Sequence, residues 1–173
     1  MIIPYIIIYS ICISRVIVVI NINVKGQRGR SPAFNRQDVL EKAALLFWEH
    51  GYEGTSIANL TQAMKISPQS LYTAFKSKAE LYREALEWYQ ENVGIFMRRI
   101  LEEEIDIKIA LNKLLRASIV EFTRQDKPQG SMISTAVLSC AAENEDIAAH
   151  VAHMRLNIIV LFEQRLNKAV TDG

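Results

Sequence analysis

Between Thr55 and Leu81 the chain reads TSIANLTQAMKISPQSLYTAFKSKAEL, and no other stretch restricts the fold as tightly. Ile57, Leu60, Thr61 and Met64 recur at helical spacing on one face, with Thr55 or Ser56 placed to cap the free N–H groups ahead of them. That helix stops at Lys65. Ser67 then reads as the N-cap of a second short helix with Pro68 at its first position, where a missing N–H costs nothing and the fixed φ suits the turn. Its inward residues are Leu71 and Phe75, so Gln69, Ser70, Tyr72 and Thr73 point elsewhere. A helix so short and polar gains little from packing alone. Ser77-Lys78-Ala79-Glu80 is an S-x-x-E capping box and opens a third helix. Helix, turn and exposed polar helix is the pattern that sets a recognition helix into the DNA major groove.

Charge follows the same division. The formal net charge of +1 conceals an asymmetry: residues 25–78 hold eight Lys and Arg against four Asp and Glu, whereas residues 101–173 hold eight against eleven. The basic part is the one with the helix-turn-helix, as a polyanionic partner requires. Half of the 173 residues are apolar, enough for a sizeable core. Cys12 and Cys140 sit in segments of different character, which suggests no disulfide framework and makes a reducing cytoplasm the natural compartment.

Residues 35–94 resemble the DNA-binding domain of the tetracycline-repressor (TetR) family of bacterial transcription regulators. The match runs in order through VLEKAALLFWEHGYEGTS, IANLTQAMKIS and PQSLYTAFKSKAELYREAL, and its most diagnostic part is the spacing of Leu71, Tyr72, Phe75, Lys78 and Leu81. One departure is Lys65, where the family usually has Gly; a left-handed backbone there costs a side chain roughly 1 kcal/mol. The resemblance implies an all-α protein: a basic arm over 25–34, a helix-turn-helix domain over 35–78, a linking helix over 78–101, and a helical ligand-sensing and dimerisation domain over 102–173. It implies double-stranded operator DNA, a homodimer partner and a small-molecule effector as partners, and neither cofactor nor enzymatic activity. Gln69, Ser70 and Thr73 are then expected to face bases, and Thr55, Ser67, Tyr72, Lys76 and Lys78 to hold phosphates.

The segment 1–24 fits this scheme poorly. MIIPYIIIYSICISRVIVVININ is about long enough to span a bilayer, yet it carries Arg15 near its middle, Pro4 near its start and a β-branched excess. Three readings compete. One is a membrane anchor with Lys25, Arg28 and Arg30 on the cytoplasmic side, which would make the protein a membrane-tethered regulator or interaction protein. Another is an extra element packed on the domain. The favoured one is a misassigned start, with Val24 the product of a GUG codon and the residues after it a basic arm. Arg28 and Arg30 are that arm's expected contacts to phosphates or the minor groove.

Asn35 is placed to cap a helix running to His50, with Asp38 a partial capping-box partner, Val39, Leu40, Ala43, Leu46 and Phe47 its buried stripe and Gly51 its C′ residue. From Lys78 a long helix reaches about Leu101, with Gly94 a candidate bend. Asp106 begins a further helix whose Ile107, Leu111, Leu114, Leu115, Ile119 and Phe122 keep a helical period. A short apolar helix is expected over 131–141, and Asn144 is placed to cap a last one with the stripe Ile147, Val151, Met154, Ile158, Leu161, Phe162 and Leu166. Family members usually continue past a turn like that at Thr171 to Gly173, so truncation is expected and part of this stripe should lie bare.

No catalytic constellation stands out. His150 and His153 are three apart on a helix but lack an acidic or cysteine partner at metal-ligand spacing. Cys140 lies in an apolar stretch that would not lower its pKa. Phe96, Met97, Phe122, Met132, Met154 and Phe162 combine with small polar residues such as Ser118, Thr123, Ser134 and Thr135 in a mixture that lines inducer pockets and equally fills plain helical cores, with Phe96, Phe122, Met132, Thr135 and Met154 the expected lining.

Overall fold

The computed structural model describes residues 34–136 and 144–172, and among them the chain is helical throughout, with no strand. Eight elements follow in order: α1 Arg36–Gly54, α2 Ile57–Met64, α3 Pro68–Phe75, α4 Lys78–Asn92, α5 Ile95–Glu103, α6 Ile107–Phe122, α7 Met132–Thr135 and α8 Glu145–Asp172. Residues 1–24, whose three readings compete, and Cys140 lie outside the described residues.

Local sequence chemistry sets most of the boundaries. Asn35 caps α1 by accepting from the Gln37 N–H. Gly51, at φ 72° and ψ 175°, interrupts that helix before its last turn, in a backbone region that only glycine occupies comfortably. Ser56, Ser67, Ser77 and Asp106 cap α2, α3, α4 and α6 with side-chain oxygens.

The core forms where α1 lies along α4. Phe47 meets Tyr82 edge-on with ring centroids 4.9 Å apart, Trp48 meets Tyr89 at 4.8 Å, and Tyr52 leans on Tyr82 at 5.1 Å. Trp48 and Tyr52 are themselves buried. The same cluster takes in Leu60, Leu71 and Phe75 from α2 and α3, and Met132, Ile147, Val151 and Met154 from α7 and α8. One apolar body therefore joins the helix-turn-helix to the helices that follow.

Two expectations change. The long helix after Lys78 breaks at Val93 and Gly94, where both N–H groups bond to the Tyr89 carbonyl. The 131–141 helix is reduced, among described residues, to the single turn of α7, because Ala136 swings to ψ 155°. Along α6, whose apolar residues keep a helical period, only Ala110 and Leu114 are buried, and Leu115 and Ile119 are 66% and 65% exposed. A period of 3.6 shows which residues share a face and not what covers it.

Two arginines of α8 complete short helices. Arg155 donates to the carbonyls of Ile133, Ser134 and Ala136, and Arg165 to those of Leu101, Glu104 and Ile105. The last carbonyls of α7 and α5 thus find charged donors where the helix supplies none.

Candidate nucleic-acid interface

The turn between α2 and α3 rests on Lys65, whose φ of 54° and ψ of 43° are left-handed. Its N–H bonds to the Gln62 carbonyl and that of Ile66 to the Thr61 carbonyl, the pair of bonds that defines a Schellman ending. Ile66 then folds back against the core. The backbone takes the shape that glycine normally provides, with a lysine in place.

α3 opens on Ser67, whose hydroxyl accepts from the Ser70 N–H and lies 2.9 Å from the Ser70 hydroxyl. Leu71 and Phe75 are buried to the last few per cent, which forces Gln69, Tyr72 and Thr73 outward. The Thr73 hydroxyl donates to the Gln69 carbonyl, so it presents its methyl group and an acceptor oxygen to a partner. Beyond α3, Lys76 holds φ 66° and ψ −54° while the Ser77 N–H bonds to the Phe75 carbonyl at 2.7 Å. These angles and that bond make a γ-turn of the rare positive-φ kind. It reverses the chain within one residue and leaves Lys76 exposed.

Lys78 begins α4 half-buried, its ammonium 4.2 Å from the centre of the Tyr52 ring. Loss of water pushes its pKa below the usual 10.5, and the Glu53 carboxylate opposes the shift. Thr55 is fully buried: its hydroxyl donates to the Gly51 carbonyl at 2.7 Å and its N–H to the Tyr52 carbonyl. The phosphate contact expected of its side chain is therefore closed off. Ser56 took the cap, and Thr55 turned inward to hold the end of α1. Arg28 and Arg30 lie outside the described residues.

Arg36 was not legible as part of this site. From the first turn of α1 its guanidinium bonds both oxygens of Glu84 at 2.7 and 2.6 Å and sits 4.5 Å above the Phe75 ring. It ties α1 to the end of α3 and to α4, so it positions the exposed helix without facing a ligand. Partners 38 to 48 residues away leave no local sequence signal.

Further along, a cavity of about 320 Å³ lies between α4, α5, α7 and α8, with Gln90, Met97, Ile133, Ile158, Leu161 and Phe162 among its walls. Of the mixture singled out in the sequence, Met97 and Phe162 line it, whereas Phe96, Phe122, Met132, Thr135 and Met154 do not. Met132 and Met154 are buried in the core, Thr135 is exposed, and Phe96 and Phe122 meet edge-on at 6.4 Å on the other side of α5. The opening lies where α5 diverges from α4 after Gly94, a geometry that composition does not reveal. Among the described residues no group of three His, Cys, Asp or Glu is placed to hold a metal ion.

A capped helix-turn-helix, presented by helices that also enclose a cavity, defines a class of helix-turn-helix regulators. Residues 39–85 match the model of the bacterial regulatory proteins of the tetR family. Over 126 residues the chain is 34% identical to the HTH-type transcriptional repressor ComR of Escherichia coli (strain K12), an alignment covering 72% of this chain and 60% of ComR. The corresponding figures for the HTH-type transcriptional repressor BdcR of the same organism are 28% over 125 residues, 72% and 64%. A solved structure of the TetR family transcriptional regulator CifR, a cysteine mutant complexed with 26-bp double-strand operator DNA, is similar with a TM-score of 0.80 and 39% identity, over 84% of this chain and 76% of that one. The chain belongs to the TetR family of transcriptional regulators. It spans about three fifths of the length of these two curated relatives.

Proposed function

We propose that this protein is a transcriptional repressor that binds a palindromic operator as a dimer in the cytoplasm and releases it when a small molecule enters the cavity beside α4. The outward face of α3 carries the reading: Gln69, Tyr72 and Thr73 project from a helix pinned by Leu71, Phe75 and Arg36, between the cations Lys65, Lys76 and Lys78. Gln69, Ser70 and Thr73 are assigned to bases, and Ser67, Tyr72, Lys76 and Lys78 to phosphates, with Arg28 and Arg30 reaching the backbone from the arm. The likeness to CifR, solved on operator DNA, supports the same docking.

α4 supplies the link between sensing and release. Lys78 starts it at the interface, and Gln90, three turns later, lines the cavity. An effector that favours a different tilt of α4 changes the separation of two recognition helices, and a fixed half-site spacing on DNA then loses one set of contacts. Among the described residues no helix is long and apolar enough to cross a membrane.

The test is a screen of genomic fragments for binding, followed by fluorescence anisotropy on the fragment selected. Gln69→Ala and Thr73→Ala should each reduce discrimination against a mismatched operator by about 1–3 kcal/mol. Equal binding to every fragment by the unaltered protein would refute sequence-specific recognition.

A further inference from the structure

The cavity beside α4 has a chemistry of its own, and the inference drawn from it rests on the effector reading above. We propose that its ligand is an organic cation with a compact apolar body, an amine or quaternary ammonium, recognised by Glu87 and Glu91. At about 320 Å³ the space lies at the small end of the range for ligand pockets, roughly 300–1,000 Å³. Ile133, Ile158, Leu161 and Phe162 give it apolar walls suited to a hydrocarbon or single-ring body.

Its charged rim sets the sign of the head group. Glu87 and Glu91 both line the cavity, one turn apart on α4, where like charges repel. Among the described residues neither has an ion-pair partner, and Arg98, which lines the same cavity, has none either. Two unneutralised carboxylates against one guanidinium leave a net negative rim. A cation near both carboxylates relieves their repulsion while its body displaces water from the apolar wall, to which Phe162 contributes a ring. Both glutamates are exposed, so the head group keeps part of its hydration and the cost of desolvating the charges is small.

Three probes with one body separate the possibilities: phenylpropyltrimethylammonium, 3-phenylpropan-1-ol and 3-phenylpropanoate, titrated calorimetrically into the full chain. The cation should bind about three- to tenfold more tightly than the alcohol, as expected for partly exposed charge pairs, and the anion most weakly. The double variant Glu87→Gln/Glu91→Gln should bring the cation down to the affinity of the alcohol and leave the alcohol unchanged, with its circular dichroism confirming the fold. A cation no tighter than the alcohol, or a preference that persists in the double variant, overturns the cationic class while alcohol binding still supports the cavity. Failure of all three probes to bind overturns the proposal together with the cavity as effector site, and operator binding by the unliganded protein is scored separately.

Discussion

The ammonium of Lys78 lies 4.2 Å from the ring centre of Tyr52, so the first residue of α4 is packed on the last turn of α1. A cation at a helix N-terminus opposes the macrodipole, and the aromatic face offsets part of that penalty. The same side chain is assigned a phosphate, which makes its two roles separable. Lys78→Ala should weaken binding to every DNA sequence alike and reduce the slope of log affinity against log salt by about one. In stability, loss of the ring contact (about 0.5–1 kcal/mol) is opposed by removal of a cation from the helix N-terminus (about 0.3–1 kcal/mol), so the unfolding free energy should change little. Anisotropy at several salt concentrations and urea unfolding report the two effects independently; unchanged affinity and slope would remove the phosphate contact.

Lys65 should show opposite signs in the same two measurements. Its left-handed backbone is a conformation that glycine adopts without steric cost, so Lys65→Gly should gain stability of about 0.5–1 kcal/mol after allowance for glycine's greater chain entropy. The substitution removes an exposed positive charge beside the recognition helix, and affinity for DNA should fall as stability rises. A variant that gained no stability would show that the turn is relaxed with lysine in place.

Thr55 separates a structural hydroxyl from a phosphate contact. Thr55→Val keeps the shape and deletes the donor to the Gly51 carbonyl, at a cost of about 1–2 kcal/mol in unfolding free energy. Because the side chain is buried, the salt dependence of DNA binding should be unchanged wherever the variant remains folded. A reduced salt slope would restore Thr55 to the phosphate set.

What the sequence disclosed follows from the range of each interaction. The caps at Ser56, Ser67, Ser77 and Asp106 and the breaks at Gly51 and Lys65 depend on residues two to four apart, and all were legible. So were the outward residues of α3, because Leu71 and Phe75 fix its inward side. Arg36 on Glu84, Arg155 on α7 and Arg165 on α5 connect residues 19 to 64 apart, which no local pattern encodes. The cavity was only partly legible for a related reason: Met97 and Phe162 line it, while Met132 and Met154 have the same composition but their helical phase turns them into the core. For α6 the apolar period was correct and the covering neighbour was absent, so Leu115 and Ile119 face outward.

The exposed apolar residues of α8 are the surface we propose for the dimer contact. Leu156, Ile159, Val160, Leu166 and Val170 are 53%, 61%, 37%, 43% and 83% exposed, and the spacing of 156, 159, 160 and 166 keeps much of them on one side of a helix of 28 residues. A helix face of this kind gains by packing against its own copy, each Å² of apolar surface buried contributing about 25 cal/mol. α6 presents a competing patch at Leu115, Ile119 and Val120, so one charge on each surface decides between them. Ile159→Glu should convert a dimer to a monomer in analytical ultracentrifugation at micromolar concentration, whereas Ile119→Glu should leave it intact. The monomer should keep its affinity for a single half-site and lose about 10²–10⁴ in affinity for the palindrome, because the second half-site is no longer linked to the first. A protein that stays dimeric with Glu at position 159 and dissociates with Glu at 119 would move the interface to α6.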